Sequence, residues 1–161
     1  MSLNYAKMNA WDAVSGTQAE CIMTIGDKRY NFMQLINFEA KIEKTKIEVP
    51  ILGKPGKGSK AVSWNGTFSG TAHYNQSIFR RMLDDYKKSS VDVYFEIQVK
   101  NEDNLSKAGS QIVVLKGCNI NGGILTKFDA SADYLSESID GTFDDFELVK
   151  PGFKDLVGMS V

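Results

Sequence analysis

Ten residues constrain this chain more than any others. In VDVYFEIQVK, residues 91–100, Val91, Val93, Phe95, Ile97 and Val99 alternate with Asp92, Tyr94, Glu96, Gln98 and Lys100. A period of two puts the first set on one face of a β-strand and the second on the other, so the segment needs partner strands and a core on one side only. The rest of the chain supplies them. AECIMTIGDKRYNFMQLI, residues 19–36, reads as two strands around a turn at Gly26-Asp27-Lys28. QIVVLKGCNI, GILTKFD and ESIDGTFDDFELV read as further strands.

Two strands change phase. Ile36, Phe38, Ala40 and Ile42 share a face, whereas Ile47 and Val49 belong to the other, which predicts a bulge or bend near Lys44 and Thr45. Ile139 and Phe143 are likewise out of phase with Phe146 and Leu148. Bent strands predict a curved or closing sheet. In AVSWNGTFSGTAHY, Val62, Trp64 and Phe68 lie on one face and Ser63, Asn65, Thr67, Ser69 and Thr71 on the other, which is wholly small and polar. One helix interrupts the strands: Ile78, Phe79, Met82, Leu83 and Tyr86 recur at helical spacing after Asn75 and Ser77, either of which suits an N-cap. Lys87 and Lys88 suit the negative end of its dipole. The expected fold is mainly β, a barrel or sandwich with one flanking helix, and Trp64, Phe68, Phe79, Tyr94 and Phe95 are its expected aromatic core. The 161 residues fit one domain, with a basic loop at 50–60 and a C-terminal arm at 150–161.

Composition narrows the function. Nineteen basic residues against 20 acidic ones leave a net charge of -1, without the electrostatic footprint of a general nucleic-acid binder. The charge is unevenly laid out: Lys54, Lys57 and Lys60 fall in a stretch without acids, and Asp129, Asp133, Glu137, Asp140, Asp144, Asp145 and Glu147 in one without bases. Such poles suit solvated loops, or head-to-tail stacking of protomers. No segment approaches the roughly 20 apolar residues of a membrane span, and the N-terminus lacks the pattern of a signal peptide. The expected compartment is a reducing cytosol.

Chemistry has little to stand on. His73 is the single histidine, at a strand end and without a recognisable nucleophile or metal partner. Cys21 and Cys118 sit far apart among apolar neighbours, which suits buried, inert thiols better than a disulfide, a zinc site or a nucleophile. The glycines at 53, 56 and 58 lack the GxxxxGK[ST] spacing of a phosphate loop. DASADYLSESID lacks the alternating ligands of a calcium loop. Neither catalysis nor a cofactor is expected.

From residue 66 onward, six pieces follow one another in order: GTFSGTAHY, SIFRRML with Tyr86, DVYFEIQVKNED, SKAGSQIVVLKGCNI, KFDASADYLSESID and GTFDDFEL. Together with the earlier KIEKTKIEVPILGKPGKGSK, they resemble the XkdM-like tail tube proteins of phages, defective prophages and phage-tail-like bacteriocins of Gram-positive bacteria. Ser131, Ser136 and Ser138 depart from a more acidic pattern there. The resemblance implies a hexameric ring of β-barrels, stacked into the inner tube of a contractile tail. Its implied partners are further copies of itself, a sheath, a tape-measure protein and a baseplate, with DNA only as passing cargo. It would assemble in the bacterial cytoplasm and end in a virion or tail-like particle.

Under that resemblance, Asn37, Glu39, Lys41 and Glu43 together with Ser63, Asn65, Thr67, Ser69 and Thr71 are the expected lumen face, since a lining must not hold a passing polyanion. The loop from Leu52 to Lys60 is expected to meet the next ring through Lys54, Lys57 and Lys60, against Asp129, Asp133, Glu137, Asp140, Asp144 and Asp145. The helix is expected to turn Arg80, Arg81, Asp84 and Asp85 outward. Two alternatives stand beside this: a type VI secretion tube, which the Gram-positive resemblance disfavours, and a monomeric β-sandwich binding module, which would show an exposed aromatic platform.

Overall fold

The computed structural model describes residues 10–16, 19–31, 35–102, 109–149 and 152–153. After a short 3-10 turn at Ala10–Asp12 come β1 (Ala19–Ile25), β2 (Lys28–Asn31), β3 (Leu35–Pro50), β4 (Lys57–His73), helix α1 (Ile78–Ser89), β5 (Phe95–Glu102), β6 (Ser110–Ile120), β7 (Ser136–Phe143) and β8 (Asp145–Val149). The strands form one antiparallel sheet in the order β2-β1-β5-β6-β7-β4-β3, with β8 also on β6. The expected arm at 150–161 lies outside the described residues, apart from Gly152 and Phe153.

The sheet bends where β6 changes partners. Residues Ile112–Lys116 of β6 pair with β8, whereas Asn119 and Ile120 pair with β7. Between them Gly117 takes a φ of 66°, and a Cβ there would lie 2.7 Å from the Asp144 carboxylate. Opposite, the Asp144 N–H donates to the Lys116 carbonyl at 3.0 Å, at the point where β7 ends and β8 begins. The phase slip between Phe143 and Phe146 is therefore a corner that lets one strand serve both halves of the sheet.

Folding the sheet on itself encloses Met23 of β1, Phe68 and Ala72 of β4, Phe95 and Ile97 of β5, Leu115, Cys118 and Ile120 of β6, and Ile139 and Phe143 of β7. Along β7 the alternation is complete: Glu137, Ile139, Gly141 and Phe143 are buried, and Ser138, Asp140 and Thr142 are exposed. Helix α1 closes the core with Ile78, against which Phe79, Met82 and Leu83 are partly buried. Its N-cap is Ser77, as the sequence suggests, but no side-chain hydrogen bond caps it; the turn starts from the Ser77 carbonyl, which accepts from the Arg81 N–H at 2.9 Å. At the other end Ser90 takes a left-handed φ of 55° and donates to the Tyr86 carbonyl.

Four expectations need correction. GILTKFD, read as a strand, lies in the connection between β6 and β7 at 121–135, which holds no strand. The strand at 91–100 begins only at Phe95, leaving Val91 and Tyr94 exposed before it. Trp64 and Val62 are exposed as well, because β7 covers β4 only from Gly66 to His73; before that point Trp64 has only the edges of Phe143 and Phe146 to pack against. The basic loop is shorter than 50–60: β3 runs to Pro50 and β4 starts at Lys57, so Lys57 and Lys60 stand on a strand and only Lys54 in the turn.

Candidate functional site

The two polar faces read separately from β3 and β4 meet across one ladder. Asn37 pairs with Thr71, Glu39 with Ser69, Lys41 with Thr67, Glu43 with Asn65 and Thr45 with Ser63, and residues paired in register share a face. β7 extends the face with Ser138 opposite Thr71, Asp140 opposite Ser69 and Thr142 opposite Thr67. Sequence reasoning missed this third row, although Ser138, Asp140 and Thr142 alternate with buried positions as a strand face should. The face is mixed in charge: the Lys41 ammonium sits 3.3 Å from the Glu43 carboxylate, and Asn121 donates to Asp140 at 2.9 Å. On its reverse, Phe38 and Phe68 turn inward, with their rings stacked at 5.9 Å.

The bulge foreseen near Thr45 is a slip in the ladder between Thr45 and Lys46, with Val62 of β4 left over; a second slip leaves Ile36 unpaired in register. Beyond Ile42 and Gly66 the β3–β4 ladder continues to Pro50 and Lys57 without a third strand. At about 3.4 Å per residue, this ribbon reaches about 27 Å past the sheet. An isolated two-stranded ribbon is marginal in water. This one also exposes Ile47, Ile51, Leu52 and Val62 among Lys44, Lys46, Lys54, Lys57 and Lys60.

The acidic stretch does not form one pole. Asp129 folds onto its own loop, accepting from the Ser131 N–H and hydroxyl, and these bonds hold its carboxyl below the usual carboxylate range. Asp133 is exposed in the same loop, Asp140 belongs to the polar face, and Asp144 and Asp145 lie at the corner between β7 and β8. Glu137 is a correction: it is buried and taken by Arg80, whose guanidinium lies 2.7 Å from it. Arg80 therefore turns inward, against expectation, donating also to the Ile124 and Gln76 carbonyls and covering the Tyr74 ring at 4.3 Å. Arg81, Asp84 and Asp85 are exposed.

Groups with catalytic potential stay apart. His73 is exposed, edge-on to the Tyr134 ring at 5.2 Å. Burial pushes the thiols of Cys21 and Cys118 up to about 12, so both are protonated near neutrality. Among the described residues no three of His, Cys, Asp and Glu gather to hold a metal ion, and no helix is long and apolar enough to cross a membrane.

Comparison with known proteins identifies the family and the fold. The family described as phage tail tube protein matches residues 6–150. Two curated proteins of Bacillus subtilis (strain 168), the phage-like element PBSX protein XkdM and the uncharacterized protein YqbM, are each 34% identical over 111 residues, which is 69% of this chain and 76% of theirs. Solved structures share the fold at low identity. A chain of the anti-feeding prophage baseplate superposes with a TM-score of 0.62 at 12% identity, covering 85% of this chain and 95% of its own. A chain of the sheath-tube complex of the extracellular contractile injection system PVC gives 0.60 at 12%, over 80% and 87%. The SPP1 tail tube gives 0.60 at 9%, over 84% and 78%. By the span of the family match and the identity to its Bacillus relatives, this chain belongs to the phage tail tube protein family.

Proposed function

We propose that the chain is the inner tube subunit of a contractile phage tail or tail-like particle, closing into hexameric rings that stack into a hollow tube. One observation carries the reading beyond the family. Nine small, polar or mixed-charge residues chosen as a lining lie in register on one hairpin, and the reverse of that hairpin packs on the core. Such a face lets a polyanion pass without holding it, because no row of uncompensated cations is there to displace its counterions. The face is the lumen lining, and α1 with Arg81, Asp84 and Asp85 turns toward a sheath.

Closure follows from the edges. β3 is a 16-residue strand with β4 on one side and no strand on the other among the described residues, and joining it to a neighbour removes an edge that would otherwise template aggregation. The basic hairpin tip meets the next ring. A tape-measure protein and a baseplate set length and nucleation, and DNA is passing cargo only; assembly takes place in the bacterial cytoplasm before the particle is complete. The tube works by rigidity, without a reaction. The monomeric binding-module reading is weaker because Phe146 stands edge-on to both Trp64 and Phe143, at 83° and 85°, so these rings offer no flat stacking platform.

Negative-stain electron microscopy of concentrated protein at low and high salt tests the proposal. The expected result is six-fold rings or hollow tubes, with tubes falling to rings as salt rises. Small monodisperse particles under all conditions, including with baseplate seeds, would overturn it.

A further inference from the structure

Two Asn-Gly steps occur in the chain, Asn65-Gly66 and Asn121-Gly122. Such a step is chemically exposed, because glycine has no side chain to shield its backbone nitrogen and leaves the local dihedrals free, so that nitrogen can reach the amide carbon of the asparagine before it. The fold treats the two steps differently. Asn65 and Gly66 lie inside β4, where Asn65 pairs with Glu43, and Gly66 with Ile42 on one side and Phe143 on the other. The Phe143 ring packs over Gly66, 2.4 Å from where a Cβ would stand. Ladder and ring together hold that backbone in place. Asn121-Gly122 instead follows the last residue of β6, in the connection to β7. Asn121 is exposed, a Cβ on Gly122 would meet nothing within 4 Å, and among the described residues the Gly122 N–H has no backbone partner.

Asn121 also clasps the end of the β6–β7 ladder, which holds only the pairs Asn119 with Thr142 and Ile120 with Gly141. Its N–H donates to the Asp140 carbonyl at 3.0 Å and its side-chain amide to the Asp140 carboxylate at 2.9 Å. We propose that Asn121 is a self-modifying site, where conversion of the amide to an acid opens this clasp. The side chain turns from Asp140 toward the Gly122 nitrogen, which loses its proton to hydroxide and attacks Cγ of Asn121. The N–Cγ bond forms, the Cγ–Nδ2 bond breaks, and the leaving nitrogen takes a proton from water to depart as ammonia. Water then opens the cyclic imide at either carbonyl, giving aspartate or isoaspartate, and is the only co-reactant. Neither product keeps the amide donor, and both carry a carboxylate at position 121 close to that of Asp140, where like charges repel. Isoaspartate also inserts a methylene into the backbone at the end of the ladder. The conversion adds one negative charge beside the polar face of a chain whose net charge is -1. It depends only on the geometry within one chain and stands apart from the tube reading.

Isotope labelling tests it. Native protein is held in mildly alkaline buffer made with oxygen-18 water, beside protein in denaturant, then returned to ordinary water, digested with trypsin and read by mass spectrometry. The tryptic peptides 117–127 and 61–80 hold the two steps, and fragment spectra assign the label to a residue. In native protein, label is expected to enter at Asn121 at least several-fold faster than at Asn65, whereas in denaturant the two rates draw together. Gly122→Ala, for which the structure has room, is expected to slow labelling at Asn121 several-fold without moving the melting midpoint. The consequence is read from Asn121→Asp, which is expected to lower the midpoint by about 2 °C, as a repelling surface pair does in a chain of this size. Adding Asp140→Asn to that variant restores a donor and is expected to recover the loss. Native labelling at Asn65 as fast as at Asn121, native labelling at neither, or an Asn121→Asp chain as stable as the wild type overturns the proposal, whether or not the chain forms tubes.

Discussion

Arg80 and Glu137 lie 57 positions apart in sequence and 2.7 Å apart in space, with Glu137 facing the core side of β7. The same guanidinium also donates to Ile124 and Gln76 carbonyls and stacks on Tyr74. One side chain thus ties the start of the helix, the connection before β7, and β7 itself. A planar fork with several donors does this where an ammonium cannot.

Removing either partner leaves the other charge buried, and such losses cost about 3 kcal/mol or more. Arg80→Ala and Glu137→Gln are each expected to lower the midpoint of thermal unfolding by several degrees, with Arg80→Lys intermediate. The double variant Arg80→Met, Glu137→Leu is expected to recover most of the loss, because an apolar pair of similar volume carries no desolvation cost. Circular dichroism melts of the four variants check this, and a double variant worse than both singles would show that the charges themselves hold the helix.

What the sequence revealed and what it hid have the same physical origin. Alternation reports which face a side chain takes, and so the polar rows of β3 and β4 were legible down to the residue. It does not report whether anything lies under the other face. Trp64 has the same phase as Phe68, yet Phe68 is buried and Trp64 is 40% exposed, because β7 stops at the level of Gly66. Glu137 likewise falls in an acidic run that the sequence offers to solvent or to ring stacking, although its phase with Ile139 and Phe143 points inward. Arg80 shares the helix with Arg81, but its guanidinium runs back to Gln76 and across to Glu137; only tertiary contact reveals that.

A lining that lets DNA pass is a statement about charge, and adding charge tests it. Ser69→Lys with Asp140→Lys places two new cations side by side on the proposed lumen face, since the two residues are paired in register. Neither side chain is buried, so folding and ring formation are expected to persist. Tubes of the variant are expected to retain short duplex DNA at low salt and release it as salt rises, whereas wild-type tubes retain none. Equal behaviour of the two in a sedimentation assay would move the lumen to another face.

The projecting ribbon separates folding from stacking. Replacing residues 46–62 by an Asn-Gly turn closes the hairpin at the Thr45–Ser63 pair and removes no buried side chain. The melting midpoint is therefore expected to stay within about 2 °C, since surface changes cost little. Rings are expected to form, and tubes to be absent, in electron micrographs. Tubes of normal length would show that the tip, with Lys54, Lys57 and Lys60, has no part in stacking.

The two thiols give a pH signature that carbon and oxygen substitutes lack. Burial raises Cys21 and Cys118 from 9.0 to about 12 in the folded chain. A raised folded value means that the unfolded chain loses its thiol protons first, so the stabilisation is complete below pH 9 and is lost as the pH climbs from about 9 towards 12. Denaturant titrations from pH 8 to 11 are expected to show a steeper fall for the wild type than for the Cys21→Ala, Cys118→Ala double variant, whose lower stability at neutral pH changes less with pH. In the same range, iodoacetamide is expected to label native protein slowly and denatured protein quickly. Rapid labelling of the native chain at pH 8 would mean that Cys21, the half-buried thiol of the pair, is open to solvent.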